Sequence, residues 1–431
     1  MKKFELPRFA GAVSLCLALG VPGVASATEG YFALAYGPAQ RGVGGAGVAY
    51  SQDAMSGAIN PAASAKIDRE LSIGVELFAP FREYRSSGGS EFAFVPEGTH
   101  KSNNNIFLVP NVAYNMPLSN GGVLNFAFYG NGGMNSSYDD LTNNCPSGPP
   151  GAGSGVFCGG EAGVDLTQAF LSLGYAQQNG RLAWGVAPTL AVQRFSAKGL
   201  SYFRDAGLSA DPANMTNRGY DYSWGLGLRA GLQYEVTPAV TLGISGQTKF
   251  RMSKFDKYSG LFENKGSFDI PASLAVGVAV KATPTLNLML DYQRIFYSGV
   301  DSVANPTTAT AQFGSKGGSG FGWDDVDVLR IGAEWQQSPD MTWRAGYAHA
   351  TNPIGKEDVT FNILAPGVVE DHFSFGGTRK LNDRDRLDFS IAYVLPHSVS
   401  GPEMTPMGPT GNTIKLKMEQ VSLSVGWSRK F

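Results

Sequence analysis

Fourteen stretches of strand character follow residue 67, from 68–84 to 414–431, and the gaps between them alternate short and long. The short gaps are 117–121, 178–180, 237–238, 282–284, 337–340 and 381–384. The long ones are 85–102, 134–163, 198–218, 254–266, 298–324, 352–367 and 397–413. Several stretches alternate with period 2: in Val421 to Trp427 every odd position is apolar, and Leu286, Leu288 and Leu290 share one parity. Large apolar residues on one face and small or polar ones on the other suit a strand between lipid and lumen. Strict alternation of gap lengths predicts an all-β fold, a 14-stranded antiparallel transmembrane β-barrel over 67–431 with both termini at the short-turn end. Closure is what a bilayer demands, because an unpaired backbone group there costs several kcal/mol.

Composition agrees. Charged residues make up 16% of the 431 residues and aromatics 11%, against roughly 25% charged in an ordinary globular domain. Residues 1–27 read as a signal peptide, with Lys2, Lys3 and Arg8 ahead of an apolar run and a small-x-small end at Ala25-Ser26-Ala27. Its removal leaves 31 basic against 35 acidic residues, net −4, which is no platform for nucleic acid. The reading places the chain in the outer membrane of a bacterial cell.

The stretch 28–66 differs from everything after it. It holds seven glycines, short apolar words and no sustained period, so it predicts compact irregular structure that needs a container. Fourteen strands enclose a lumen too wide for side chains to fill. The expectation is a hatch, 28–66, plugging that lumen. Cys145 and Cys158, thirteen apart in a Gly/Pro-rich loop, predict a disulfide in an oxidising compartment. In the last strand Ile414, Leu416 and Met418 are even while Val421 to Phe431 are odd. That predicts a bulge near Glu419-Gln420, or an upper part above the bilayer.

Arg41-Gly-Val-Gly-Gly-Ala-Gly-Val-Ala49, Gln52-Asp53-Ala54 and Asn60-Pro61-Ala62 resemble the amino-terminal signature of FadL-type outer-membrane transporters of long-chain fatty acids and other hydrophobic compounds. The resemblance continues in Ile270 to Leu274, Leu329 to Gly332, Trp343 to Tyr347 and the terminal strand. It implies passive uptake: capture in outer loops, a pocket above the hatch, and exit through a gap in the wall. It also implies roles for residues. Asn60, Pro61 and Ala62 would latch the hatch. Tyr31 and Phe32 would reach the substrate pocket. Gly130, Gly132 and Gly133 would mark the lateral opening, and Arg194 would be a basic pocket residue. The second basic residue expected just before Leu329 has no match; Asp324, Asp325 and Asp327 stand there. That departure leaves room for neutral or aromatic hydrocarbons.

The partners expected are a hydrophobic small molecule, outer-membrane lipid, and the barrel-assembly machinery through the terminal Phe431. No cofactor, metal or catalytic residue is expected. A lipase-like barrel enzyme would have to use His397-Ser398 near the rim, and a general porin would have an open bore.

Overall fold

The computed structural model describes residues 29–143, 145, 154–405 and 408–431; the expected signal peptide and Thr28 lie outside the described residues. Among these, fourteen antiparallel strands form a closed barrel. They are β1 Glu70–Ser87, β2 Phe107–Pro117, β3 Gly122–Tyr138, β4 Ala162–Asn179, β5 Leu182–Lys198, β6 Asp221–Thr237 and β7 Val240–Gln247. The second half is β8 Ser273–Thr283, β9 Leu286–Ile295, β10 Val326–Ser338, β11 Met341–Ala350, β12 Asp371–Lys380, β13 Asp385–Thr405 and β14 Gly408–Lys430. Each strand pairs with its chain neighbours. β1 and β14 close the ring in unbroken register from Glu70 opposite Lys430 to Ser87 opposite Thr413. Two short pieces, Gly98–Lys101 against β1 and Arg251–Met252 against β6, extend the loop end.

The outward parity is apolar on strand after strand: Ile73, Val75 and Leu77 on β1, Leu226 and Leu228 on β6, Leu423 and Val425 on β14 are all exposed. In water so continuous an apolar surface would drive association; in a bilayer it faces its own solvent.

The inward parity divides the lumen into two storeys. Near the short turns it is polar: Glu70, Ser72 and Glu76 on β1, and Gln420, Ser422, Ser424 and Ser428 on β14 are buried. Towards the long loops it turns apolar: Phe78 and Tyr84 on β1, Ile414, Leu416 and Met418 on β14, Leu166 and Phe170 on β4. The even residues of β14 are buried without a break from Thr410 to Ser424. The second of the two alternatives for this strand therefore holds: Lys415 and Lys417 face outwards above the apolar belt, and parity does not reset. The bulge sits across the ladder, on β13 between Val394 and His397.

The expected loop 397–413 is the other difference. β13 and β14 run on as a paired hairpin to Thr405 and Gly408, beyond the bilayer, because backbone pairing does not need lipid on the outer face. Adjacent in β13, His397 and Ser398 point to opposite faces, and the shift turns His397 to the inward parity, 3.3 Å from Glu370.

Candidate functional site: a lumenal segment, an apolar cavity and a break in the wall

Residues Glu29–Lys66 run along the inner wall and are almost entirely buried. Short turns shape them. Pro38 opens a helix, α1 (Pro38–Gly42), where its missing N–H costs nothing. Asp53 caps a 3-10 turn by accepting from the Met55 N–H at 2.9 Å. Asn60 caps the next, its Oδ1 accepting from the Ala62 N–H at 3.0 Å, with Pro61 fixing the first turn.

Wall charges grip this segment from many sides. Arg41 reaches Glu76 of β1 at 2.5 Å, and Arg330 of β10 holds Glu29 at 2.5 and 2.6 Å. Asp291 of β9 accepts from the Gly47 and Val48 N–H groups at 2.6 and 2.9 Å. Glu334 takes Tyr50 and Gln52 at 2.7 and 3.1 Å while paired to Arg344. Asn60 donates to the carbonyls of Val48, of Leu232 on β6 and of Ile244 on β7. Removing one partner of such a buried pair costs about 3–5 kcal/mol, so the segment is held by interactions that fail expensively. Burial pushes the Asp53 carboxyl up to about 6.

At its amino-terminal end the segment enters the upper storey. Tyr31 and Phe32 are fully buried among Tyr297, Phe268 and Trp323; Tyr31 lies 5.0 Å from Tyr297 and 5.8 Å from Trp323, ring centre to ring centre. The Tyr297 hydroxyl donates to the Glu29 carbonyl at 2.7 Å and accepts from the Tyr31 N–H at 3.0 Å. Beyond this cluster the long loops fold inward. They enclose an apolar cavity of about 50 Å³ lined by Phe195, Phe203, Phe262, Phe313 and Phe361. The Cys145–Cys158 disulfide pins the neighbouring loop, with Phe157 buried against Phe203 and Phe361.

The wall breaks beside Tyr31. The β2–β3 ladder ends at Asn111 opposite Tyr129. Above it, Phe107–Pro110 pair with no strand but β1, and residues 130–138 with no strand but β4. Contact resumes higher up, where Asn103 N–H donates to the Ser137 carbonyl at 2.9 Å and Asn104 to Asn135 at 2.9 Å. The cause is local. β3 bulges at Asn131, between Gly130 and Gly132, and its inner edge pairs with the segment instead: Gly133 N–H donates to Tyr31 O at 3.0 Å, and Ala33 N–H to Asn131 O at 2.9 Å. A Cβ on Gly132 would collide with Tyr31 O. Pro110, lacking an N–H, suits the free edge it occupies.

The residues singled out in the sequence thus fall into two places. Asn60, Pro61 and Ala62 lie in the lower storey; Tyr31, Phe32, Gly130, Gly132 and Gly133 meet at the break. Arg194 joins neither. Its neighbours Gln193 and Phe195 point inward, so alternation turns Arg194 outward, 3.2 Å from Asp165 and over the Tyr220 ring. The same alternation would have found the lumenal cations the sequence reading passed over. Arg330 stands between outward Leu329 and Ile331, and Arg229 between outward Leu228 and Ala230. Trp323 and Tyr297 lie in irregular loops, where no period marks them.

Residues 24–427 match the family model described as outer membrane protein transport protein (OMPP1/FadL/TodX). No curated protein sequence matches the chain. Among solved structures it is similar to the Pseudomonas putida toluene transporter TodX at 17% identity, over 92% of this chain and 99% of that one, with a TM-score of 0.67. It is similar to the Ralstonia pickettii toluene transporter TbuX at 18% identity, over 92% and 99%, TM-score 0.61. A Pseudomonas aeruginosa FadL homologue is 15% identical over 93% and 100%, TM-score 0.67.

Proposed function

The chain belongs to the OMPP1/FadL/TodX family of outer-membrane transport proteins, and from that premise we propose that it takes up hydrophobic molecules passively by a lateral route. Cargo enters the apolar cavity under the long loops, passes the aromatic cluster at Tyr31 and Trp323, and leaves through the break between β2 and β3 into the bilayer. Residues 28–66 act as the hatch that closes the straight bore, with Asn60-Pro61-Ala62 as its latch. Phe431, whose N–H donates to the Arg69 carbonyl at 3.0 Å, serves as the assembly signal.

The observation that carries this reading is the broken ladder opening beside an apolar upper storey. Burying each methylene gains about 0.8 kcal/mol, so an apolar molecule leaves water for that storey and has no reason to enter the ion-paired one below. The break offers an apolar way out. The solved toluene transporters of the same fold support a neutral hydrocarbon as one cargo, and the aromatic lining supports it equally.

Reconstitution tests it. Proteoliposomes holding the mature protein should transfer a labelled alkane or alkylbenzene into the bilayer faster than protein-free liposomes, and should not swell in small sugars. Sugar-driven swelling without transfer would return the protein to the general porins.

A further inference from the structure

Among the described residues five arginines lie buried in the lumen: Arg41, Arg82, Arg229, Arg330 and Arg344. Arg41, Arg330 and Arg344 have a carboxylate within 2.7 Å, from Glu76, Glu29 and Glu334 respectively. Arg229 is spent on the segment, donating to the Ala58 carbonyl and to the hydroxyls of Tyr129 and Tyr36. Arg82, like Arg229, has no acid and meets only neutral oxygens, in its case the carbonyls of Asn135 and Asn104 and, at 3.2 Å, Asn105 Oδ1; unlike Arg229 it lines an open cavity. Its buried Nε has no partner. A guanidinium out of water needs an anion to balance it; carbonyl dipoles supply none of that charge.

Its place gives this a use. Arg82 lies on β1 at the upper edge of the wall break, since Asn135 and Asn104 are the residues that rejoin the wall there. It lines a cavity of about 20 Å³ whose other walls include Phe78, Pro80, Met134, Trp323 and Met418. That space admits one or two water-sized groups, which suits a carboxylate and not a whole cargo. The Phe107 ring, 5.8 Å from the guanidinium, carries the apolar lining on to the free edge of β2.

We propose that Arg82 is a specificity-determining residue of the wall break: it binds the oxyanion head of an amphipathic cargo while the apolar body lies along Phe78 and Phe107. The proposal rests on the lateral-uptake reading and adds to it a preference by charge. A planar guanidinium fork suits a carboxylate geometrically as well as electrically. Arg194, turned outward and paired with Asp165, has no part in it.

Calorimetric titration of the purified mature protein in a neutral maltoside detergent tests this with decanoate and decanol. Wild type should prefer decanoate. Arg82→Gln should lose that preference by about tenfold or more while its decanol affinity stays within about twofold. Arg82→Lys should keep part of the preference, and Arg194→Gln all of it. A wild type without preference, or an Arg82→Gln protein that retains it, overturns the assignment. Suppression of the preference by phosphatidylglycerol in the micelle gives the site to a bilayer head group and overturns it too. Failure of wild type to bind either ligand sinks the uptake reading itself, and is thereby distinct from failure of the head-group assignment alone.

Discussion

The lower and upper storeys of the lumen share the same strands, yet they are built on opposite principles. Below, inward side chains are polar or charged, and several meet partners on the segment 29–66: Glu76 with Arg41, Asp291 with two backbone N–H groups, Arg330 with Glu29. Above, rings meet rings, Phe170 with Phe250, Phe195 with Phe262 and Trp323 with Tyr31, and Phe195 and Phe262 border open space. Directional bonds of high stakes hold a segment in one position. Non-directional apolar contact tolerates a guest of varied shape. In the proposed uptake route the two storeys would serve as a lock and a receptacle, and the change from polar to apolar inward residues along β1 and β14 sets the boundary.

Breaking the lock should have the largest effect. Arg330→Met strands Glu29 in the interior, and the docking of residues 29–47 should weaken by about 3–5 kcal/mol. Amide exchange in that segment should accelerate by orders of magnitude while the barrel keeps its resistance to heat and detergent. Adding Glu29→Leu should recover most of the loss. Unchanged exchange would show the pair to be incidental.

Gly132→Ala tests whether the break in the wall is separable from the receptacle. The new Cβ meets the Tyr31 carbonyl, so the inner edge of β3 must move. Transfer into liposomes should slow by about tenfold, equivalent to about 1.4 kcal/mol, with cargo affinity within about twofold. If rate and affinity fall together, exit and binding are one site.

The smallest effect is a pH dependence confined to the lock. Asp53 is raised to about 6 by burial, above the roughly 3.9 of a free carboxyl. Folding therefore favours its protonated form. Its contribution is complete below about pH 4 and fades as pH rises through about 6. Amide exchange at Gly57 and Ile59, corrected for intrinsic rates, should show less protection at pH 7.5 than at pH 5. Asp53→Asn, which still caps the turn, should flatten the difference. A wild-type profile already flat between those values removes Asp53 from the account.

The strands were legible because alternation is a local property repeated fourteen times, and each repeat names its own inner and outer face. The same rule corrects Arg194 and exposes Arg229 and Arg330. It could not place the change at 397–413, where serines, glycines and prolines look like loop but the chain pairs as strand. It also could not tell that Tyr297 and Trp323 would join Tyr31, since those contacts depend on loops whose shape no period records.

Taken alone, the order of residues determined a closed lipid-facing cylinder with a glycine-rich leader, because turn length and side-chain parity act over a few positions. The folded molecule decided where the ladder fails and which buried arginines find an acid. Glu29 and Arg330 are 301 positions apart and Tyr297 and Glu29 are 268 apart. Partnerships at that distance arise only once closure brings the strands around.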